Sequence, residues 1–102
     1  MSHPSSYDEN AIRGQVVEVL EDMTRDWDRQ YSEAICGQTR LVADLGCESI
    51  DFVMLIVSIE GVFQQKNLPF EALLTKNGRF VGDVTVDQIT QMLVNALQAK
   101  VT

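Results

Sequence analysis

The sequence predicts an all-α fold, a small helical bundle of three main helices plus one short helix. Three observations carry that expectation. Apolar residues recur at three- and four-residue intervals in two well-separated segments. Two capping boxes, Ser6 to Glu9 and Thr85 to Gln88, each stand just before such a segment. Between them lies a dense apolar run that begins near Ser49 and continues as far as Phe63, too long for an ordinary strand.

The first helix follows Ser6 as N-cap and Glu9 as N3. Ile12, Val16, Leu20, Met23 and Trp27 recur at spacings of four, four, three and four, which makes one apolar stripe. Glu18, Glu21 and Asp22 fall largely on the opposite, solvated side. A long connection spans 25–48. Tyr31 and Ile35 continue the spacing from Trp27, so a further turn or two of helix is expected before Gly37 ends it. Trp27 and Tyr31 are expected to anchor this connection to the core. Connections of such length without regular structure often carry function.

The second helix is expected from near Ser49 to about Gln65. Ile50, Phe52, Val53, Met54, Leu55, Ile56, Val57, Ile59, Val62 and Phe63 cover more than one of its faces. Its β-branched residues lower helix propensity, so packing must hold it, and a strand over 52–59 is the competing local reading. A short third helix opens with Pro69 at its first position and sets Phe70, Leu73 and Leu74 at i, i+3 and i+4. Asn77-Gly78 supplies its stop. The last helix follows Thr85-Val86-Asp87-Gln88 and turns Val86, Ile89, Leu93, Ala96 and Leu97 inward.

The 102 residues make one domain, expected over 8–102 behind a flexible polar tail at 1–7. Apolar residues are 45% and charged residues 23%, values ordinary for a folded chain. Eight basic against fifteen acidic residues leave a net charge of −7. That balance repels phosphate backbones, which argues against a nucleic-acid partner and in favour of basic partner surfaces. Cys36 and Cys47 form no CxxC, and His3 is the only histidine, so a Cys/His metal site lacks ligands. With no signal peptide or membrane span, a reducing cytoplasm with unpaired cysteines is the expected setting. Nothing demands more than a monomer.

The segment with chemical content is Leu41-Val-Ala-Asp-Leu-Gly-Cys-Glu-Ser-Ile-Asp51 and the apolar run behind it. It resembles the acyl carrier protein family and the related peptidyl carriers, which set a serine after Asp-Leu-Gly at the start of their second helix. Ile35, Thr39 and Leu41 precede Asp44-Leu45-Gly46 at the family's intervals. Ser49-Ile50-Asp51 stands for Ser-Leu-Asp, and the run ends in Glu60 and Phe63. The resemblance covers roughly residues 8–98.

It implies that Ser49 carries 4'-phosphopantetheine, donated by coenzyme A through a phosphopantetheinyl transferase. The arm's thiol would hold acyl or aminoacyl thioesters for loading and chain-processing enzymes, and the chain itself would be no enzyme. The chemistry suits the residues. A phosphodiester at a helix start meets unpaired N–H groups and the positive end of the helix dipole. Gly46 permits the sharp turn that leaves the hydroxyl exposed. A plain capping serine is the commonest role for such a residue, and the surrounding pattern argues against it here. A serine hydrolase lacks a histidine base outside the tail.

Asp44, Glu48, Asp51 and Glu60, with Ile50 and Met54, make an expected docking face; no Lys or Arg occurs between Arg40 and Lys66. Charge clusters are commonly no more than solvated faces. Glu48 stands for the family's usual Asp, Ile50 for Leu, and Met54 for a common Glu. Residues 70–81 exceed the compact fatty-acid form. These departures point to specialised biosynthesis, of lipid, polyketide or a related product. Cys47 reads as a small loop residue. The competing function is a small helical protein-interaction adaptor without a prosthetic group, supported by the apolar surplus of the second helix. Under the carrier reading the first and last helices are expected to cover that surplus.

Overall fold

The computed structural model describes residues 8–25 and 34–101. Helix α1 spans Glu9–Thr24, α2 Ser49–Phe63, α3 Phe70–Leu74 and α4 Val86–Val101; strands β1, Thr75–Lys76, and β2, Arg79–Phe80, stand between α3 and α4. Ile12, Val16 and Leu20 of the predicted stripe are fully buried, and Val19 and Thr24 join them. The first cap differs from expectation. Asp8, with Oδ2 accepting from the Asn10 N–H at 3.2 Å, is the N-cap of α1, while Ser6 lies outside the described residues. Trp27 and Tyr31 also lie outside them. The second capping box forms as predicted: Thr85 N–H donates to Gln88 Oε1 at 2.8 Å and Gln88 N–H to Thr85 Oγ1 at 3.1 Å.

The run 52–59 lies in a helix, so the strand reading fails there. Phe52, Leu55 and Ile59 face the core at i, i+3 and i+7, and α2 packs against α1, which also packs along α4. Val86, Ile89, Leu93 and Leu97 complete the core from α4, and Ala96 is half-buried beside it.

The all-α expectation needs one correction. Residues 75–80 form an antiparallel hairpin in which Thr75 pairs with Phe80 and Lys76 with Arg79. Asn77 and Gly78, read from sequence as a helix stop, are instead its two-residue turn, with φ of 55° and 78°. Positive φ at both central residues suits the right-handed twist of a tight hairpin, and Asn-Gly is the pair that adopts it most readily. Helix α3 has already ended at Leu74, and Pro69 stands at its N-cap rather than inside its first turn.

The connection before α2 is stitched to the start of α4. Leu41 N–H donates to Val84 O at 2.9 Å, Val86 N–H to Thr39 O at 3.1 Å, and Asp87 N–H to Gly37 O at 2.8 Å. Ile35, Thr39, Leu41 and Leu45 are buried beneath it. These bonds hold the loop that delivers the chain to Ser49.

Candidate functional site

Ser49 is the first residue of α2 and is exposed. The loop that reaches it is shaped by short-range bonds. Asp44 N–H donates to Arg40 O at 3.0 Å, Gly46 N–H to Val42 O at 3.0 Å, and Cys47 N–H to Leu41 O at 3.0 Å. Gly46 then takes φ of +76°, a region that costs other residues about 1–2 kcal/mol. Glu48 is extended, at φ −113° and ψ 177°, and α2 begins. The geometry leaves a serine hydroxyl in water at a helix N-terminus, where first-turn N–H groups lack intrahelical acceptors.

The expected docking residues divide into two groups. Glu48, Ile50 and Met54 are exposed. The other three acids are half-buried and serve local structure. Asp44 Oδ2 accepts from Arg40 N–H at 2.8 Å, and Oδ1 lies 3.5 Å from the Arg40 guanidinium. Asp51 Oδ2 reaches back to the Glu48 N–H at 2.7 Å, one arm of a capping box at the mouth of α2. Glu60 Oε2 accepts from Leu68 N–H at 3.4 Å, beyond the far end of the helix.

The apolar surplus of α2 is not covered, contrary to expectation. Ile50, Val53, Met54 and Val57 are 61%, 54%, 52% and 64% exposed. Their i, i+3, i+4 and i+7 spacing joins them into one stripe that starts beside Ser49. Helix α2 has one inward face, and α1 and the core occupy it. Ile56 and Phe63 pack partly against the core, and the four residues of the stripe point outward because a helix cannot turn two opposite faces toward one core.

Two features of the site had no sequence signal assigned to them. Asp83 lies just after the hairpin and clamps the loop. Its Oδ1 accepts from Val42 N–H at 2.8 Å and Val84 N–H at 2.8 Å, and its Oδ2 from Ala43 N–H at 2.9 Å. The second feature is a cleft of about 500 Å³ bounded by Ser49, Cys47, Val42 and Phe52 on one side and by Leu74, Thr75 and Phe80 on the other. The Phe80 ring meets Phe52 edge-on, with centroids 5.4 Å apart and planes at 64°. The Asn77-Gly78 pair is the sequence cue to this wall.

Cys47 is buried, and its thiol is pushed up to about 11, first by loss of hydration and then by the negative charges of Asp51 and Asp83. It is therefore a protonated, weakly nucleophilic group at neutral pH. Cys36 and Cys47 are both free. Among the described residues, no group of three or more His, Cys, Asp or Glu side chains is arranged to hold a metal ion. No described helix is long and apolar enough to cross a membrane.

No protein-family model matches the chain, and neither a curated protein nor a solved structure is significantly similar to it.

Proposed function

We propose that this chain is an acyl carrier protein that holds acyl or aminoacyl intermediates as thioesters on 4'-phosphopantetheine attached to Ser49. The observation that carries the reading is the exposed hydroxyl of Ser49 at the first position of α2, presented by a loop that turns at Gly46. The motif resemblance supplies the chemistry. Ser49 Oγ attacks the coenzyme A phosphorus that bears the pantetheine arm. The new Oγ–P bond replaces the P–O bond to adenosine 3',5'-bisphosphate, which leaves, and the hydroxyl proton passes to a base on the transferase. The resulting phosphodiester would sit at the N-terminus of α2, where backbone N–H groups favour an anion. A freely hydrated serine costs little to modify, because no packed side chain has to move.

Partners of such a carrier are the transferase, loading enzymes and chain-processing enzymes, which would share one presenting surface. The exposed stripe Ile50, Val53, Met54 and Val57, with Glu48 at its head, offers them an apolar centre and a negative edge. Complementary charge on the partner would set encounter rate and register more than affinity.

Incubation with coenzyme A and a broad-specificity phosphopantetheinyl transferase, followed by intact-mass analysis, tests the reading. One phosphopantetheinyl group is expected on Ser49 and none on Ser49→Ala. That variant should unfold within about 0.5 kcal/mol of the parent, since the side chain is exposed. No gain, or gain at another residue, defeats the assignment. The uncovered stripe on α2 favours a second reading, the adaptor without a prosthetic group. A Ser49→Ala variant that retains all partners and the function of the loaded parent would select it.

A further inference from the structure

We propose that the tip of the β1–β2 hairpin is a docking surface for an acidic protein partner, one that presents clustered Asp and Glu side chains, and that it works independently of Ser49. Residues 61–82 carry three cations, Lys66, Lys76 and Arg79, against the single acid Glu71, a net +2 in a chain whose total is −7. Two of those cations stand directly opposite each other, because Lys76 pairs with Arg79 beside the Asn77-Gly78 turn. Like charges set across a ladder destabilise it. The described arginines outside the hairpin are all neutralised: Arg13 pairs with Glu9 and Asp87, Arg25 with Asp22, and Arg40 with Asp44. Among the described residues, neither Lys76 nor Arg79 is ion-paired.

The pair faces away from the Ser49 cleft. Phe80 turns toward Phe52, and side chains alternate along a strand, so Arg79 and its partner Lys76 stand on the opposite side of the hairpin. Lys76, Arg79 and the turn between them are exposed, and Val81 beyond β2 is 43% exposed and adds apolar surface. Charges around a small apolar contact match the rim of a protein interface, and the Arg79 guanidinium suits a carboxylate through two parallel N–H donors. Asp83, the next acid along the chain, does not quench the pair, because its two oxygens accept from Val42, Ala43 and Val84. At 0.1 M salt the reach of charge is about 10 Å, so a surface arriving at the turn responds to this pair rather than to acids across the bundle. A guard against unwanted strand pairing needs charge, but not two charges of one sign.

A short fluorescent peptide of Glu, Leu and Trp, and its counterpart with Gln in place of every Glu, are titrated into the full chain at about 0.15 M salt. Amide NMR maps the contact and fluorescence anisotropy reads the affinity. The acidic peptide is expected to shift Lys76, Arg79 and Val81, and the Gln peptide to leave them unmoved. Lys76→Gln combined with Arg79→Gln should weaken binding by roughly 2- to 30-fold, the range for two exposed ion pairs. Lys66→Gln, which removes a charge outside the hairpin, and Ser49→Ala should both bind as the parent.

Lys76→Glu separates recognition from folding. It sets opposite charges across the ladder, so the thermal midpoint should hold or rise while binding of the acidic peptide is lost. Loss of the hairpin's own amide pattern in that variant would mean that the cations serve the fold, and overturns the proposal. Shifts placed elsewhere, equal binding of the Gln peptide, or a loss in Lys66→Gln as large as in the double variant also overturn it. Tighter binding of inorganic phosphate than of the peptide does the same, by making the tip an anion site rather than a protein contact. None of these outcomes bears on loading at Ser49.

Discussion

Removal of the Asp83 carboxylate is the sharpest test of how the Ser49 loop is held. Three backbone N–H groups, of Val42, Ala43 and Val84, end on its two oxygens within 2.9 Å. Hydrogen bonds to a charged acceptor contribute roughly 1.5–3 kcal/mol each. The Ala43 bond is exposed, and water can take it over at little cost. The Val42 and Val84 donors are part-buried, and the lower bound for two such bonds is about 3 kcal/mol. Solvent reaching the half-buried carboxylate reduces this to about 2 kcal/mol for Asp83→Ala. Asp83→Asn keeps one acceptor oxygen and sets an NH₂ against a donor, so about half the loss is expected. Urea and thermal unfolding measure both, and 2 kcal/mol corresponds to a fall of about 8–16 °C in a domain near this size. Hydrogen exchange should quicken at Val42 and Ala43 before it quickens in α4. An Asp83→Ala variant within about 0.5 kcal/mol of the parent would refute the reasoning.

Gly37 and Asp87 make a coupled pair. A Cβ on Gly37 would lie 2.7 Å from Asp87 Cγ, pushing aside the carboxylate that accepts from Arg13 Nε at 2.9 Å. Gly37→Ala should cost about 1 kcal/mol in the parent and close to nothing in Asp87→Ala, as a double-mutant cycle in urea would read. At pH 8, iodoacetamide should label exposed Cys36 promptly and buried Cys47 only after denaturation, as peptide mass mapping would resolve. Equal rates would contradict the burial. The linkage has a definite sign. Cys47 holds its proton more tightly folded than unfolded, so its contribution to stability is full below about 9 and is lost between about 9 and 11 as pH rises. Unfolding of the parent and Cys47→Ala compared across that window checks it; the decline should be shallower in the variant.

The parts of the fold that sequence discloses are those with local causes. The stripe Ile12, Val16, Leu20 and the Thr85–Gln88 box each depend on residues within a turn or two, and both form. The start of α2 at Ser49 follows from the same kind of signal. The hairpin did not disclose itself because Asn-Gly serves both as a helix stop and as a tight turn, and its two-residue strands are too short to show alternation. Asp83 had no local cue, since two of its three donors lie about forty positions away. Helix α2 is apolar around most of its circumference, so composition established its density without disclosing which face would be buried. The site divides in the same way. The serine and its turn are written in neighbouring residues, whereas the far wall of the cleft comes from a hairpin some thirty positions downstream.

The uncovered stripe on α2 belongs to a molecule that repels its own copies. Each chain brings a net charge of −7, and two of them approaching in dilute buffer feel that repulsion well before methyl groups can touch. Salt at 0.1 M shortens its reach to about 10 Å, and acid near the isoelectric pH of about 4.4 abolishes the charge itself. Raising ionic strength or approaching that pH lowers the electrostatic barrier to contact between the exposed Val53 and Val57 of two chains. A basic partner meets no such barrier: for it, the same field is an invitation.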